Sequence, residues 1–357
     1  MPSLSDYLNS LLGRGTQPAG PTGLAGVSAK SKLPDSPNEP AQITNAKVLL
    51  IIYNPVMDAA SGRKLSETMN WSRPDDLVNG FIADILNTSG GMVRYQIAQR
   101  VEVNDFPLLA DGFRYSSKAY LDVVDGRMPM HNPPSADYNA VLKQYNILQR
   151  VGNQEFDEVW VMSFPYAGFY ESTMAGAGAF WCNAPALSNT SSCKRRFVIM
   201  GFSCERGVGE MLESYGHRTE SILGKVFNCQ DFITWAYKSG RQPATISGDS
   251  NLLQRFLCFD QIAPGKSALG TIHYAPNSTK DYDWGSPAPV QSECYDWLNF
   301  PNFKGDVRTV NDTEWGAGEI RAHHLWWLKH LPKAAGRKNG IHNNWWQYTA
   351  NPNNVIV

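Results

Sequence analysis

Three continuous apolar runs in the first two thirds of the chain predict strands that are buried on both faces. Their sequences are KVLLIIY (47–53), EVWVMSF (158–164) and RFVIMGF (196–202). Between them lie segments with the spacing of amphipathic helices, such as PDDLVNGFIADILNTSGG (74–91) and ADYNAVLKQYNIL (136–148). Buried strands that alternate with helices favour an α/β fold with a doubly wound, mainly parallel sheet.

The segment after the third run, from about Val208 to Phe227, predicts a helix with one acidic side. At about 100° per residue, four polar residues fall within an arc of roughly 80°. They are Glu210, Glu213, His217 and Glu220. The opposite side is apolar and carries Met211, Leu212, Tyr215, Ile222 and Leu223. This helix is predicted to begin at the carboxyl edge of the sheet, where open α/β sheets bind their ligands.

No packed structure is predicted for the chain before the first apolar run. Residues 1–45 are predicted to be a disordered tether, because most of this stretch is rich in Gly, Pro, Ala and Ser and poor in large apolar side chains. A short amphipathic helix is predicted at its start, from Leu4, Tyr7, Leu8, Leu11 and Leu12. We interpret residues 1–13 either as part of a disordered tail or as a peptide that docks on a carrier assembly.

Residues 46–357 are predicted to form a single α/β domain. Its sheet core covers residues 46–240, and residues 241–357 are predicted to form an irregular cap rich in Trp, with one clear helix at EIRAHHLWWLKHL (319–331). The cap lacks the strand–helix alternation of the core, so it is expected to fold over the sheet.

Composition and charge exclude some classes of function. Lys plus Arg (32) nearly balance Asp plus Glu (33), so no global positive field favours nucleic acid. No apolar run is long enough to span a bilayer, and the N-terminus lacks the features of a signal peptide.

Six cysteines are too few for a disulfide scaffold. Cys182 and Cys193 bracket the polar loop CNAPALSNTSSC, whose ends are expected either to close through a disulfide or to remain buried free thiols.

The residues that follow the predicted strands are candidates for ligand binding. Tyr166 and Glu171 follow the second run and Arg206 follows the third, so we predict that these three contact a substrate.

The acidic helix face has two interpretations: a solvated surface, or a site for a cation. Carboxylates three residues apart repel each other, and a bound cation relieves this repulsion. The spacing of Glu213, His217 and Glu220 suits a divalent ion, Zn or Ca, with Asp281 as a further ligand. Gly209–Gly216 reads GEMLESYG, so both histidines of the zinc-peptidase pattern HExxHxxG are absent and a standard site of that kind is excluded.

A second group of polar residues lies in the loop GTIHYAPNSTKDYDWG (270–285). Its composition suits cation coordination or hydrogen bonding to a substrate, although a single loop histidine is often structural. Together with the helix, this loop supplies the predicted catalytic residues, which are Glu210, Glu213, His217, His273 and Asp283.

The tail GIHNNWWQY (340–348) contains two adjacent tryptophans in a polar setting. We predict that Asn343, Asn344 and Trp345 contact a sugar ring or another substrate, the alternative being that the tryptophans anchor the cap to the core.

Four motifs resemble a family of largely uncharacterised, mostly bacterial proteins that are often predicted to be secreted. They are FPYAGFYESTMAGAGAFWCNAP (164–185), RRFVIMGFSCERGVGEMLESYGHRTES (195–221), HYAPNSTKDYDW (273–284) and NNWWQY (343–348). The resemblance covers about residues 46–350 and implies one domain with a shared polar site, without naming a reaction. Because this chain lacks the export signal of such proteins, we expect an extracellular location by a non-classical route, with the cytoplasm as the alternative.

The sequence leaves three functional hypotheses. The first is a hydrolase of a glycan or a peptide, with either a metal ion or a pair of carboxylates in its pocket. The second is a non-catalytic module that binds carbohydrate or a cell-surface ligand. The third is a cargo or effector protein that docks through its N-terminal helix. Signatures of dinucleotide oxidoreductases, P-loop NTPases and α/β-hydrolases are absent.

Overall fold

The computed structural model describes residues 34–238 and 251–356. The strands, in chain order, are β1 (Thr44–Tyr53), β2 (Val56–Asp58), β3 (Arg63–Lys64), β4 (Val93–Val103), β5 (Glu158–Ser163), β6 (Ser172–Ala175), β7 (Phe197–Ser203), β8 (Val290–Ser292), β9 (Arg308–Val310), β10 (Lys333–Lys338) and β11 (Ile341–Asn344). The helices are α1 (Leu65–Thr68), α2 (Pro74–Thr88), α3 (Ser117–Val124), α4 (Tyr138–Gln144), α5 (Ile147–Gly152), α6 (Val208–Val226), α7 (Gln230–Ala236), α8 (Leu252–Phe256), α9 (Cys294–Trp297), α10 (Ile320–Lys329) and α11 (Trp346–Ala350).

A five-stranded sheet in the order β4-β1-β5-β7-β6 forms the centre of the fold. The first four strands of this order run parallel, and β6 pairs antiparallel with β7 at the edge. The three apolar runs of the sequence are β1, β5 and β7, so the predicted α/β fold with a mainly parallel sheet is confirmed. Parallel strands need both faces covered, which explains why these runs contain so few polar residues.

The two faces of the sheet contribute to two separate hydrophobic clusters. Alternate residues of β1 show this division: Val48, Leu50 and Ile52 lie in one cluster, and Leu49 and Ile51 lie in the other. The first cluster includes apolar residues of α2 and α6, and the second those of α3, α4 and α5. The fold therefore has helices on both sides of the sheet, as the strand–helix alternation predicted.

The Trp-rich C-terminal part packs on the face covered by α6. Trp315, Trp327, Trp345 and Trp346 are almost fully buried and belong to the same cluster as α6. This segment has only short strands and helices. Large buried aromatic side chains therefore hold it against the core. None of the described helices has the length and hydrophobicity needed to span a membrane.

The predicted disulfide between Cys182 and Cys193 is wrong for this structure, in which both thiols are free and buried. Cys182 belongs to the cluster on one face of the sheet and Cys193 to the cluster on the other. Their thiols contact different partners, Ser172 Oγ at 3.7 Å and the Arg195 carbonyl at 3.1 Å. The loop between them therefore passes from one face to the other instead of closing on itself.

The end of the predicted tether is ordered against the C-terminal hairpin. Ser36 forms a β-bridge with Arg337, Arg337 also forms an ion pair with Glu39, and Asn344 Nδ2 donates to the Gln42 carbonyl at 2.8 Å. The predicted N-terminal helix, residues 1–13, lies outside the described residues.

Gly216 on α6 lies directly against Ile272 of the loop 270–285. A Cβ added there would overlap the side chain of Ile272, the residue before His273. We expect Gly216→Ala to lower the free energy of unfolding by about 1–3 kcal/mol, because the overlap forces the loop away from the helix. Urea unfolding measures this change.

Gly152, at the end of α5, is the matched control, since a Cβ there meets no atom within 4 Å. Gly152→Ala is expected to be neutral or stabilising by up to about 1 kcal/mol. Equal effects of the two substitutions would contradict the close approach at Gly216.

Candidate functional site

Helix α6 starts at the carboxyl edge of β7 and is buried on nearly all sides. Glu210 Oε2 accepts a hydrogen bond from the Gly207 backbone N–H at 3.0 Å and so caps its first turn. Further along, Glu213 and Glu220 are only 4 % and 2 % exposed. A solvated surface is therefore excluded for these two carboxylates, and each must be balanced by nearby donors or positive charge.

Three side chains present one ligand atom each to a common point. His217 Nε2 lies 2.9 Å from His273 Nε2, and His273 Nε2 lies 3.0 Å from Glu213 Oε1. The remaining distance, between His217 Nε2 and Glu213 Oε1, is 3.9 Å. Among the described residues, these three form the group with the spacing of a metal site.

The size of this triangle fits a first-row metal ion. The three distances average about 3.3 Å, which is the separation of tetrahedral donors that each lie about 2.0 Å from an ion, as zinc ligands do. Calcium, by contrast, takes six to eight oxygen ligands at roughly 2.3–2.6 Å. The donor set of two imidazoles and one carboxylate therefore suits zinc better than calcium.

A carboxylate holds the far nitrogen of each histidine. His273 Nδ1 lies 2.9 Å from Asp281 Oδ1, and His217 Nδ1 lies 3.3 Å from Glu220 Oε2. Each Nδ1–H donates to its carboxylate, which directs Nε2 towards the common point. Glu220 and Asp281 were predicted as metal ligands. They instead contact the histidines and do not reach the common point themselves.

Two tyrosines and a backbone amide complete this arrangement. Tyr282 donates its hydroxyl to Glu213 Oε1 at 2.8 Å, and Tyr237 donates to Glu220 Oε2 at 2.7 Å. Glu220 Oε1 also accepts the Ile272 backbone N–H at 2.9 Å. The buried carboxylates are therefore hydrogen-bonded on more than one side, which fixes their orientation.

The electrostatics of the triangle favour positive charge at its centre. Burial alone would raise the pKa of Glu213, but the hydrogen bond to His273 and the charges of the two histidines lower this pKa to about 2. Burial alone would lower the pKa of His273, but Asp281 and Glu213 raise it to about 10.

A small cavity adjoins this cluster at the carboxyl ends of β5 and β7. Four of the predicted site residues line it: Tyr166, Glu171, Arg206 and Glu210. Burial and the Glu213 carboxylate raise the pKa of Glu171, while the charges of His217, His273 and Arg206 oppose this shift. Glu171 therefore lies near both the triangle and Arg206, and Asn183 Nδ2 donates to its Oε2 at 2.8 Å.

Two tyrosines at the site have left-handed backbone conformations. Tyr166 has φ 66° and Tyr282 has φ 58°. For a bulky residue this conformation costs roughly 1–2 kcal/mol and persists where the surroundings impose it. In this conformation the Tyr282 hydroxyl contacts Glu213 Oε1.

The other predicted site residues lie apart from the triangle. Asp283 Oδ2 accepts hydrogen bonds from the backbone and hydroxyl of Thr279, so it closes its own loop. Asn343 and Asn344 donate to the carbonyls of Ala335 and Gln42. Trp345 is 1 % exposed, so it cannot stack on a sugar ring. Trp345 instead anchors the cap to the core, which was the alternative prediction.

Sequence reasoning missed several residues of the site. Tyr237, Tyr282 and Asn183 make the contacts described above, and His324 lies behind the triangle. His324 is fully buried, its Nδ1 donates to the Gly209 carbonyl at 3.0 Å, and burial lowers its pKa to about 4. The signals were weak: Tyr282 stands between the two aspartates of the loop, and His324 belongs to an ordinary helical segment.

Comparison with protein-family models, with curated proteins and with solved structures finds no match to this chain. The family resemblance stays a prediction.

Proposed function

We propose that this protein is a zinc-dependent hydrolase. The observation that carries the proposal is the convergence of His217 Nε2, His273 Nε2 and Glu213 Oε1, with a carboxylate behind each histidine. Catalytic zinc sites commonly use three protein ligands of this kind and keep one position open for water or substrate. In such sites the ring N–H of each histidine ligand that faces away from the metal usually donates to a carboxylate or a similar acceptor. We call such a carboxylate a backing carboxylate.

Zinc held at this point would supply a water of lowered pKa and polarise a substrate carbonyl. A hydrolase also needs a group that accepts the proton of the attacking water. Glu171 fits this role, because it lines the cavity, lies near the triangle and has its carboxylate oriented by Asn183. Its placement at the carboxyl end of the sheet agrees with the general position of ligands in α/β folds.

The competing hypotheses have less support. The sugar-binding module was favoured by the Trp pairs, and the burial of Trp345 removes it from any binding surface. The carrier-docking hypothesis depends on residues 1–13, which lie outside the described residues. A metal centre accounts for the convergence of Glu213, His217 and His273, which neither alternative requires.

We expect Glu171→Gln to keep one zinc per chain and to lower kcat by about 10²–10⁴, the usual contribution of a general base. Metal content is measured by mass spectrometry on untagged protein, and rates are measured on a panel of acyl dipeptides and nitrophenyl esters. Asp231→Asn is the control, since Asp231 is exposed and does not line the cavity. A wild-type protein that binds no zinc, or an unchanged rate for Glu171→Gln, would argue against the proposal.

A further inference from the structure

The cavity beside the triangle is small and has aromatic walls. Its volume is about 60 Å³, and its walls include Phe164, Tyr166, Phe169, Phe202 and Met211. A cavity that accepts a benzene ring is about 150 Å³, and one water occupies about 30 Å³. The enclosed space therefore admits a small planar group such as a carboxylate.

Arg206 is the cation of this cavity and has no strong partner. Within the described ranges, its guanidinium forms one ion pair, with its neighbour Glu205 at 3.8 Å, which is too long for a hydrogen bond. Arg255, by contrast, forms a bidentate pair with Glu293. Arg206 thus keeps its planar set of N–H donors available to a ligand.

The two carboxylates that share the cavity are already held by other groups. Glu171 accepts from Asn183, and Glu210 accepts from the Gly207 backbone. Neither lies within ion-pair distance of Arg206, whose side chain is 27 % exposed. This partly buried guanidinium has no hydrogen-bonded carboxylate, and a planar carboxylate can supply one through two parallel hydrogen bonds.

We infer that the Arg206 cavity binds a free carboxylate of the substrate, so that the enzyme acts on amides or esters that carry a carboxylate near the scissile bond. That a bond of this substrate is cleaved rests on the proposed function. Carboxylate binding by Arg206 does not depend on the metal. It favours a peptide-like substrate over a neutral glycan. The small cavity admits the carboxylate, and the rest of the molecule extends towards the triangle.

The test compares N-benzoylglycine with its neutral amide, N-benzoylglycinamide, by isothermal titration calorimetry on the full chain. We expect the acid to bind about 10–100-fold more tightly than the amide, the range given by charged hydrogen bonds. Arg206→Gln should abolish this preference, and Arg206→Lys should keep part of it. Arg73→Gln, whose side chain is 81 % exposed, is the matched control and should leave the preference unchanged.

Each titration is run on protein treated with EDTA and on the same protein reloaded with zinc. A preference that depends on Arg206 in both forms supports the inference, even if the wild-type protein proves to bind no zinc. A preference that survives Arg206→Gln, or one that appears only with zinc, would mean that another group or the metal binds the carboxylate. Inorganic phosphate is titrated in parallel, and Arg206-dependent binding of phosphate tighter than that of the acid would overturn the assignment to a carboxylate.

Discussion

Replacing His273 with alanine is expected to abolish zinc binding and hydrolysis together. The substitution removes the nitrogen that lies 2.9 Å from His217 and 3.0 Å from Glu213, so the two remaining ligands no longer surround an ion. It also removes the ring nitrogen that lies 3.0 Å from the buried Glu213 carboxylate. Metal content by mass spectrometry and the rate on the best substrate of the panel measure the two effects.

Two further variants sharpen this test. Asp281→Asn should keep the site but weaken zinc affinity by about 10–100-fold, the usual effect of a changed backing carboxylate. His131→Ala is the matched control, because His131 also contacts an aspartate, Asp111, at 2.7 Å but has no second histidine beside it. Undiminished zinc binding by His273→Ala would show that the metal lies elsewhere, and loss of zinc in His131→Ala would show that the assay reports folding.

The largest effect on stability is expected at Arg218, on the sheet-facing side of α6. Arg218 and Glu158 are 0 % and 2 % exposed, with Arg218 Nη2 at 2.6 Å from Glu158 Oε2. Trp160 Nε1 also donates to Glu158 Oε1, at 2.8 Å. Arg218→Met removes the cation but leaves the carboxylate buried, so we expect the free energy of unfolding to fall by about 3–5 kcal/mol. Urea unfolding measures the difference.

Two controls separate the loss of the pair from the loss of a side chain. The double variant Arg218→Met with Glu158→Met should be less destabilised than Arg218→Met, because no unpaired charge remains buried. Arg321→Met breaks a bidentate pair with Asp84, but the arginine side chain is 45 % exposed and the expected loss is only about 1 kcal/mol or less. Equal losses for Arg218→Met and Arg321→Met would show that burial of the Arg218 pair does not govern its contribution.

The parallel direction of β1, β5 and β7 followed from the sequence, because each is an uninterrupted apolar run and helical segments separate the runs. The position of Glu171 and Arg206 also followed, since ligand-binding residues collect at the carboxyl edge of a parallel sheet. The angular position of Glu213 and His217 on α6 predicted that the two side chains lie on one face, where they meet His273. In each case a local pattern was sufficient.

The roles within the site could not be derived in the same way. Helical spacing places Glu213, His217 and Glu220 on one face, but only the folded loop decides that Glu220 contacts the far nitrogen of His217. Similarly, nothing between Cys182 and Cys193 indicates that the sheet separates them. Contacts between distant segments depend on packing, which periodicity does not report.

The donors of the triangle come from segments that are 56 residues apart, His217 on α6 and His273 in the later loop. When the ribosome has completed α6, only two of the three donor residues, Glu213 and His217, have been synthesised. Asp281, whose carboxylate contacts His273, is synthesised later still. On the proposed function, zinc loading is therefore a late step in the biogenesis of the protein. It follows the synthesis and docking of the C-terminal part, so a chain that ended before the loop 270–285 would acquire no metal site.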